Sequence, residues 1–101
     1  MGTVYGRGMK PLPPGLEVGL RGLGFRMMTN VPEGMLPEWR VPKFPRIHLR
    51  AAAANTPGSG SVTARWGVRD STIEVAQDHI DVDELLRELE SIIDKVKRGE
   101  L

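Results

Sequence analysis

Proline and glycine are crowded into the first part of this 101-residue chain, and that distribution constrains its fold most. All eight prolines lie within the first 57 residues, and ten of the twelve glycines lie within the first 60. Proline removes a backbone donor and disfavours helix at the preceding residue, and a fixed glycine loses the most conformational entropy. We therefore expect residues 1–45 to form a long irregular arm, with short helical pieces at most.

The arm is nevertheless rich in large apolar residues, more than a segment that stays in water would carry. Aromatic and methionine residues in an irregular, proline-rich segment commonly fill pockets on a partner. We predict a protein interface at Leu16, Leu20, Leu23, Phe25, Met27, Met35, Trp39 and Phe44. The alternative is that the arm packs on its own chain, and the sequence leaves both arrangements open.

Residues 15–28, GLEVGLRGLGFRMM, allow three interpretations. The glycines give G-x-x-G-x-G, which reverses the dinucleotide fingerprint, and neither a strand before them nor a Gly-Lys-Ser/Thr after them supports a phosphate loop. Leu16, Leu20, Leu23 and Met27 recur at helical spacing, but each interior glycine costs about 1 kcal/mol relative to alanine. We favour a segment that becomes ordered only by contact with other parts of the protein.

Alternation of apolar and polar residues predicts three strands, at 46–52, 61–69 and 71–76. The stretch NTPGSG (55–60) lies between the first two and suits a long hairpin loop, because Pro-Gly favours a type II turn. A short helix through RIHLRAAAAN (46–55) is the alternative to the first strand, since alanines favour helix.

The last element is an amphipathic helix that follows Asp81. Asp81 suits the N-cap position, and Glu84 completes a capping-box pattern. The apolar stripe of this helix comprises Val82, Leu85, Leu86, Leu89, Ile92, Ile93 and Val96. The predicted fold is therefore α+β: a small antiparallel three-stranded sheet packed by one C-terminal helix in residues 46–101, preceded by the extended arm of residues 1–45.

No group of residues suits catalysis or metal binding. Cysteine is absent, and His48 and His79 share no ligand spacing with carboxylates. The acidic stretch 77–84 lacks the glycine and the terminal glutamate of a calcium loop, and a helix N-terminus already accounts for its carboxylates. No serine has a partner base in a recognisable motif. We expect a protein that is not an enzyme, without catalytic residues, metal or cofactor.

The net charge of +1 conceals a split, because residues 1–60 carry a net charge of +5 and residues 61–101 carry −4. In the predicted sheet, one face is shared by Arg46, His48, Arg50, Arg65 and Arg69, with Lys43 beside it. The candidate nucleic-acid contact comprises Lys43, Arg46, Arg50, Arg65 and Arg69. The aromatic residues that stack on single-stranded bases are missing from that face. A solvated face, or one that meets an acidic neighbour, is the alternative.

The chain has no apolar run long enough for a membrane helix and does not begin with a signal-peptide pattern. We therefore expect no membrane partner and a cytoplasmic or virion location rather than secretion. The sequence favours a structural or assembly subunit that self-associates or docks its hydrophobic arm on neighbouring protein. A virus or phage particle or a multiprotein complex would use such a component. The alternative function is a nucleic-acid-binding module that uses the arginine-lined face.

Overall fold

A computed structural model describes residues 12–28, 37–53 and 60–101 of the chain. The elements are α1 (Pro14–Leu23), β1 (Arg26–Met27), β2 (Glu38–Val41), β3 (Phe44–Ala53), β4 (Ser61–Val68), β5 (Glu74–Asp81) and α2 (Val82–Lys97). The five strands form one sheet in the order β1-β2-β3-β4-β5, and every neighbouring pair is antiparallel. Buried residues from the strands and from both helices form a single hydrophobic core.

The α+β class is consistent with this architecture, but the predicted three-stranded sheet with one helix is wrong. The sheet has five strands and the described chain has two helices. The additional elements α1, β1 and β2 all lie within residues 1–45, which the sequence had suggested to be irregular. These elements are short, and each is stabilised by contacts that sequence periodicity does not reveal.

Helix α1 combines a favourable start and end with an interior that is weak by itself. Proline at its first turn has no donor to lose, and Gly24 after its end adopts the left-handed conformation, with φ of 101°. Leu16 and Leu20 lie one turn apart and are fully buried. At Gly19 a Cβ atom would overlap the side chain of Leu86 in α2. The glycine therefore lets the two helices approach closely, and this contact compensates for its low helix propensity.

Strand β2 is a short alternating segment, EWRV, that buries Trp39 and Val41 and leaves Glu38 and Arg40 partly exposed. A two-residue turn at 42–43 joins it to β3, so that Val41 pairs with Phe44. Proline suits such a turn because its φ is already fixed near the required value. The strand was not predicted because its four residues, between proline-containing stretches, are too few to show a clear alternation of apolar and polar side chains.

Residues Phe44–Ala53 form strand β3 rather than the alternative short helix. Along β3 the buried residues Ile47, Leu49 and Ala51 alternate with partly exposed ones. Strand β4 continues this pattern through the register pairs Ile47–Val68, Leu49–Trp66 and Ala51–Ala64. The hairpin loop predicted at 55–60 lies outside the described residues except for its last position.

Strand β5 begins and ends later than the third predicted strand at 71–76. It runs from Glu74 to Asp81 and leads directly into α2. Val75 pairs with Trp66 on the core side of the sheet but, at the sheet edge, has 36% of its surface exposed, and the buried residue of the strand is Ile80. The register shifts near the end of the strand, where His79 has a positive φ of 58°. This β-bulge turns the chain toward α2.

The core joins the two parts of the chain in one layer between the sheet and the helices. Across the sheet, Trp39, Leu49 and Trp66 occupy successive positions of one cross-strand row. The helices contribute the buried residues Leu16, Leu20, Leu85, Leu89, Ile92 and Ile93. The helical stripe predicted for α2 therefore faces the core, whereas the predicted Asp81 cap forms no side-chain hydrogen bond.

Candidate protein-interaction surface

The residues predicted as a docking interface lie mostly inside the molecule. Leu16, Leu20, Phe25 and Trp39 have no exposed surface. Leu23, Met27 and Phe44 are partly buried and pack against the same core. Met35 lies outside the described residues. The apolar side chains that led to the predicted interface therefore contact the chain's own sheet and helices.

The opposite face of the sheet carries charged and small side chains. Backbone register places Glu38, Arg50, Arg65 and Ala76 in one row across β2 to β5. The adjacent row contains Arg26, Arg40, His48, Gly67 and Glu74. We call this surface the open face. It alternates with the core residues along each strand, as expected for a sheet with one buried side.

Glu38 interacts with two arginines on the open face. Its carboxylate accepts a hydrogen bond from Nε of Arg40 at 2.9 Å and lies 3.8 Å from a guanidinium nitrogen of Arg50. On the other row, the imidazole Nε2 of His48 lies 3.5 Å from the carboxylate of Glu74. The open face is therefore a mixed network of charges rather than a uniformly basic surface.

The five predicted nucleic-acid contacts separate into different roles. Arg50 and Arg65 pair across β3 and β4, and Arg65 is exposed. Arg46 instead donates hydrogen bonds to backbone carbonyls, to Arg69 at 2.9 Å and to Leu101 at 3.2 Å. A guanidinium that bridges a turn and the last residue has a structural role. Lys43 and Arg69 are exposed in turns at the end of the sheet.

Strand β5 forms one edge of the sheet, and it is long and accessible. Its six consecutive residues 74–79 are all exposed. Residues 74–77 keep a regular register with β4, before the bulge begins. An edge strand presents a row of backbone donors and acceptors that its own sheet does not pair. The other edge, β1, has only two residues. Edge β5 is therefore the main place in the described structure where a further strand could pair.

A depression of about 310 Å³ lies on the open face next to this edge. It is lined by Arg50, Thr63, Ala64, Arg65, Ala76, Gln77 and Asp78. Ala76, which lies in the same row as Arg50 and Arg65, is small and leaves space that the longer side chains border. A strand added beside β5 would project alternate side chains toward this depression, because successive side chains of a strand point to opposite faces.

Sequence reasoning missed the edge and its depression, although a usable pattern was present. Residues 74–79, EVAQDH, contain a single large apolar residue and charged or polar side chains on both faces. A strand of that composition is typical of a sheet edge, where both faces remain accessible. The third strand was predicted at 71–76, which is too early to include the whole of this pattern.

Comparison of the chain with protein-family models, curated proteins and solved structures found no match. Among the described residues, no three histidine, aspartate or glutamate side chains are grouped as metal ligands. None of the described helices has the length and apolar character needed to cross a membrane.

Proposed function

We propose that this protein is a non-enzymatic assembly subunit that accepts an extended segment of a neighbouring protein along strand β5. The observation that supports this most directly is the exposed edge at residues 74–79. Strand addition uses main-chain hydrogen bonds for affinity and side-chain pockets for specificity. The depression beside Ala76 and Gln77 supplies such a pocket. A component of a virus or phage particle, or of a multiprotein complex, would use this kind of contact.

The charges at the edge favour a different protein over a second copy of β5. Strand β5 carries Glu74, Asp78 and Asp81 and no lysine or arginine. Antiparallel pairing of two such strands would bring carboxylates near one another, and like charges on facing strands are destabilising. Arg50 and Arg65 border the depression, so an acidic side chain of the incoming strand would complement their charge.

In this proposal the apolar arm residues stabilise the subunit itself and are not the surface that contacts the neighbouring protein. Leu16, Leu20, Phe25 and Trp39 stabilise the subunit's own core, and docking through them would require that core to open. The neighbouring protein instead contacts the sheet edge, which is accessible without any unfolding. The class of function stays that of an assembly subunit, and the contact surface moves from the arm to β5.

Site-specific photo-crosslinking in the source cells tests this proposal. A photoreactive amino acid at Gln77 lies on the edge, and the same amino acid at Lys95 is a matched control on the exposed side of α2. We expect a discrete covalent adduct with one protein from Gln77 and none from Lys95, measured by mass spectrometry. Equal adducts at both positions, or no adduct at Gln77, would contradict docking at the edge.

Nucleic-acid binding is the second candidate, because Arg50 and Arg65 lie side by side on the open face. Phosphate contacts make affinity fall steeply with salt. If this function were correct, Arg65→Ala would weaken binding to every oligonucleotide and lower the slope of log affinity against log salt by about 1. The measurement is fluorescence anisotropy with single- and double-stranded oligonucleotides over a range of salt concentrations.

A further inference from the structure

A second surface, at the ends of the two helices, has a different character from the β5 edge. A groove of about 570 Å³ lies between the end of α1, the β2–β3 turn and the last turns of α2. It is lined by Arg21, Gly22, Leu23, Gly24, Arg26, Val41, Pro42, Lys43, Phe44, Ile93 and Lys97. We call it the basic groove.

The groove has apolar walls and a cationic rim. Buried Val41 and Ile93 and partly buried Leu23 and Phe44 supply the apolar part. Four basic side chains supply the charge, and the described residues of the lining include no aspartate or glutamate. Basic residues near helix C-termini offset the helix dipole, and this accounts for Arg21 and Lys97 on their own helices. It does not account for Arg26 and Lys43, which lie on a strand and in a turn.

Two of the four cations are held in fixed positions. The guanidinium of Arg21 lies 5.4 Å from the centre of the Trp39 ring, within the range of a cation–π contact. The guanidinium of Arg26 donates hydrogen bonds to the carbonyl of Phe25 at 2.7 Å and to that of Arg21 at 3.2 Å. These contacts orient two side chains at the rim before any ligand binds, which reduces the entropy cost of binding.

Lys43 and Lys97 complete the rim from other elements. Lys43 is exposed in the β2–β3 turn, and Lys97 is exposed at the last position of α2. A ligand that neutralised both would contact the sheet and a helix together. Because the two lysines are exposed, their substitution should leave the core intact.

We propose that the basic groove binds an acidic peptide segment of a partner protein in which a large apolar side chain lies between carboxylates. The apolar side chain would contact Leu23 and Phe44, and the carboxylates would pair with the cationic rim. Charge complementarity selects this occupant, since a neutral or basic segment would leave four cations unpaired. The inference rests on the proposed function as an interaction subunit and adds a site independent of strand β5.

Fluorescence anisotropy with a fluorescein-labelled nonapeptide of alternating glutamate and leucine tests the inference. We expect saturable binding to the full chain, weakened about tenfold or more by the double variant Lys43→Glu/Lys97→Glu. Arg87→Glu/Lys95→Glu is the matched control, with the same charge change at two exposed positions of α2 outside the groove, and should change affinity less than about twofold. Replacing the leucines of the peptide by serine should also weaken binding, because the apolar wall then has no partner.

Several results would overturn the inference. These are no binding of the peptide, equal losses with the groove and control variants, or unchanged binding after leucine replacement. Tighter groove binding by a single-stranded oligonucleotide would identify nucleic acid as the occupant instead. The neutral pair Lys43→Gln/Lys97→Gln, checked by circular dichroism, repeats the test if the charge reversals disturb folding. Peptide binding without a Gln77 crosslink contradicts only the edge proposal, whereas the reverse result contradicts only the groove.

Discussion

An earlier segment, residues 12–28 and 37–41, and a later segment, residues 61–97, contribute to the same core, but their structures depend on different kinds of interaction. In the later segment, the alternation of β4 and the wide apolar stripe of α2 can be recognised in the sequence. The earlier segment contributes fully buried Leu16, Leu20, Phe25 and Trp39, but its elements are short and interrupted by glycine and proline. The comparison shows that a segment with weak local preferences can still supply the centre of a core.

The reason for this difference is the origin of the ordering energy. An isolated helix of ten residues is marginal in water even without glycine, and α1 has ten residues. The hydrogen bonds of α1 alone do not stabilise it sufficiently. Its buried leucines and the close approach of Gly19 to Leu86 provide the additional stabilising free energy. The later helix α2 is longer and has acidic residues in its first turn and basic residues in its last, which its dipole favours.

The largest expected effect comes from removing the earlier segment. A chain that starts at Phe44 lacks Leu16, Leu20, Phe25 and Trp39 and leaves the core face of the sheet partly uncovered. We expect it to lose cooperative thermal unfolding, measured by circular dichroism and calorimetry. A cooperative transition of a monomer at the temperature of the full chain would show that the later segment folds independently.

Within α1, two substitutions separate burial from helix propensity. Leu20→Ala removes a fully buried side chain and should lower the free energy of unfolding by about 2–5 kcal/mol. Val18→Ala removes a side chain that is 73% exposed, and should change it by less than about 0.5 kcal/mol. Urea denaturation of both variants measures the difference. Similar losses would mean that α1 does not pack as described.

Two glycines, one in each segment, are expected to respond in opposite directions to alanine. At Gly67 a Cβ atom would overlap the backbone carbonyl of Ile73, so Gly67→Ala should destabilise by about 1–3 kcal/mol. At Gly22, in α1, a Cβ atom would meet nothing within 4 Å, and Gly22→Ala should stabilise by about 0.5–1 kcal/mol. Shifts in the midpoint of thermal unfolding check both signs, and a stabilised Gly67→Ala variant would contradict the β4–β5 geometry.

The smallest expected difference between two paired variants is that between two arginines of the predicted basic face. Arg46→Ala removes hydrogen bonds to the carbonyls of Arg69 and Leu101, and should cost about 1–2 kcal/mol of stability. Arg65→Ala changes an exposed side chain and should cost less than about 0.5 kcal/mol. Chemical denaturation compares the two variants. A larger loss for Arg65 would show that it has a structural role in the sheet.

The sequence predicted those parts of the fold in which the apolar residues recur with a regular period over many positions. It located β3, β4 and α2, because Ile47, Leu49 and Ala51 alternate and the apolar stripe of α2 repeats over four turns. It missed β1 and β2, because two and four residues carry no measurable period. It placed β5 too early, because the bulge at His79 interrupts the alternation before the strand ends.

The candidate surfaces were less accessible to prediction than the fold. Arg50 and Arg65 were expected on one face, and the register of β3 with β4 pairs them. The role of Arg46 depends on carbonyl groups of a turn and of the last residue, which lie 23 and 55 positions away. The basic groove combines residues of α1, β1, the β2–β3 turn and α2. No local pattern connects those four elements.

The sequence by itself determined the α+β class, the long C-terminal helix and the outward direction of the arginines, because each follows from the period of side chains along one element. Only the tertiary structure decided that the described residues of the proline- and glycine-rich segment contribute to the core. That outcome depends on contacts such as Gly19 with Leu86 and Trp39 with Leu49. Their free energy arises between elements distant in the chain, where local preference has no influence.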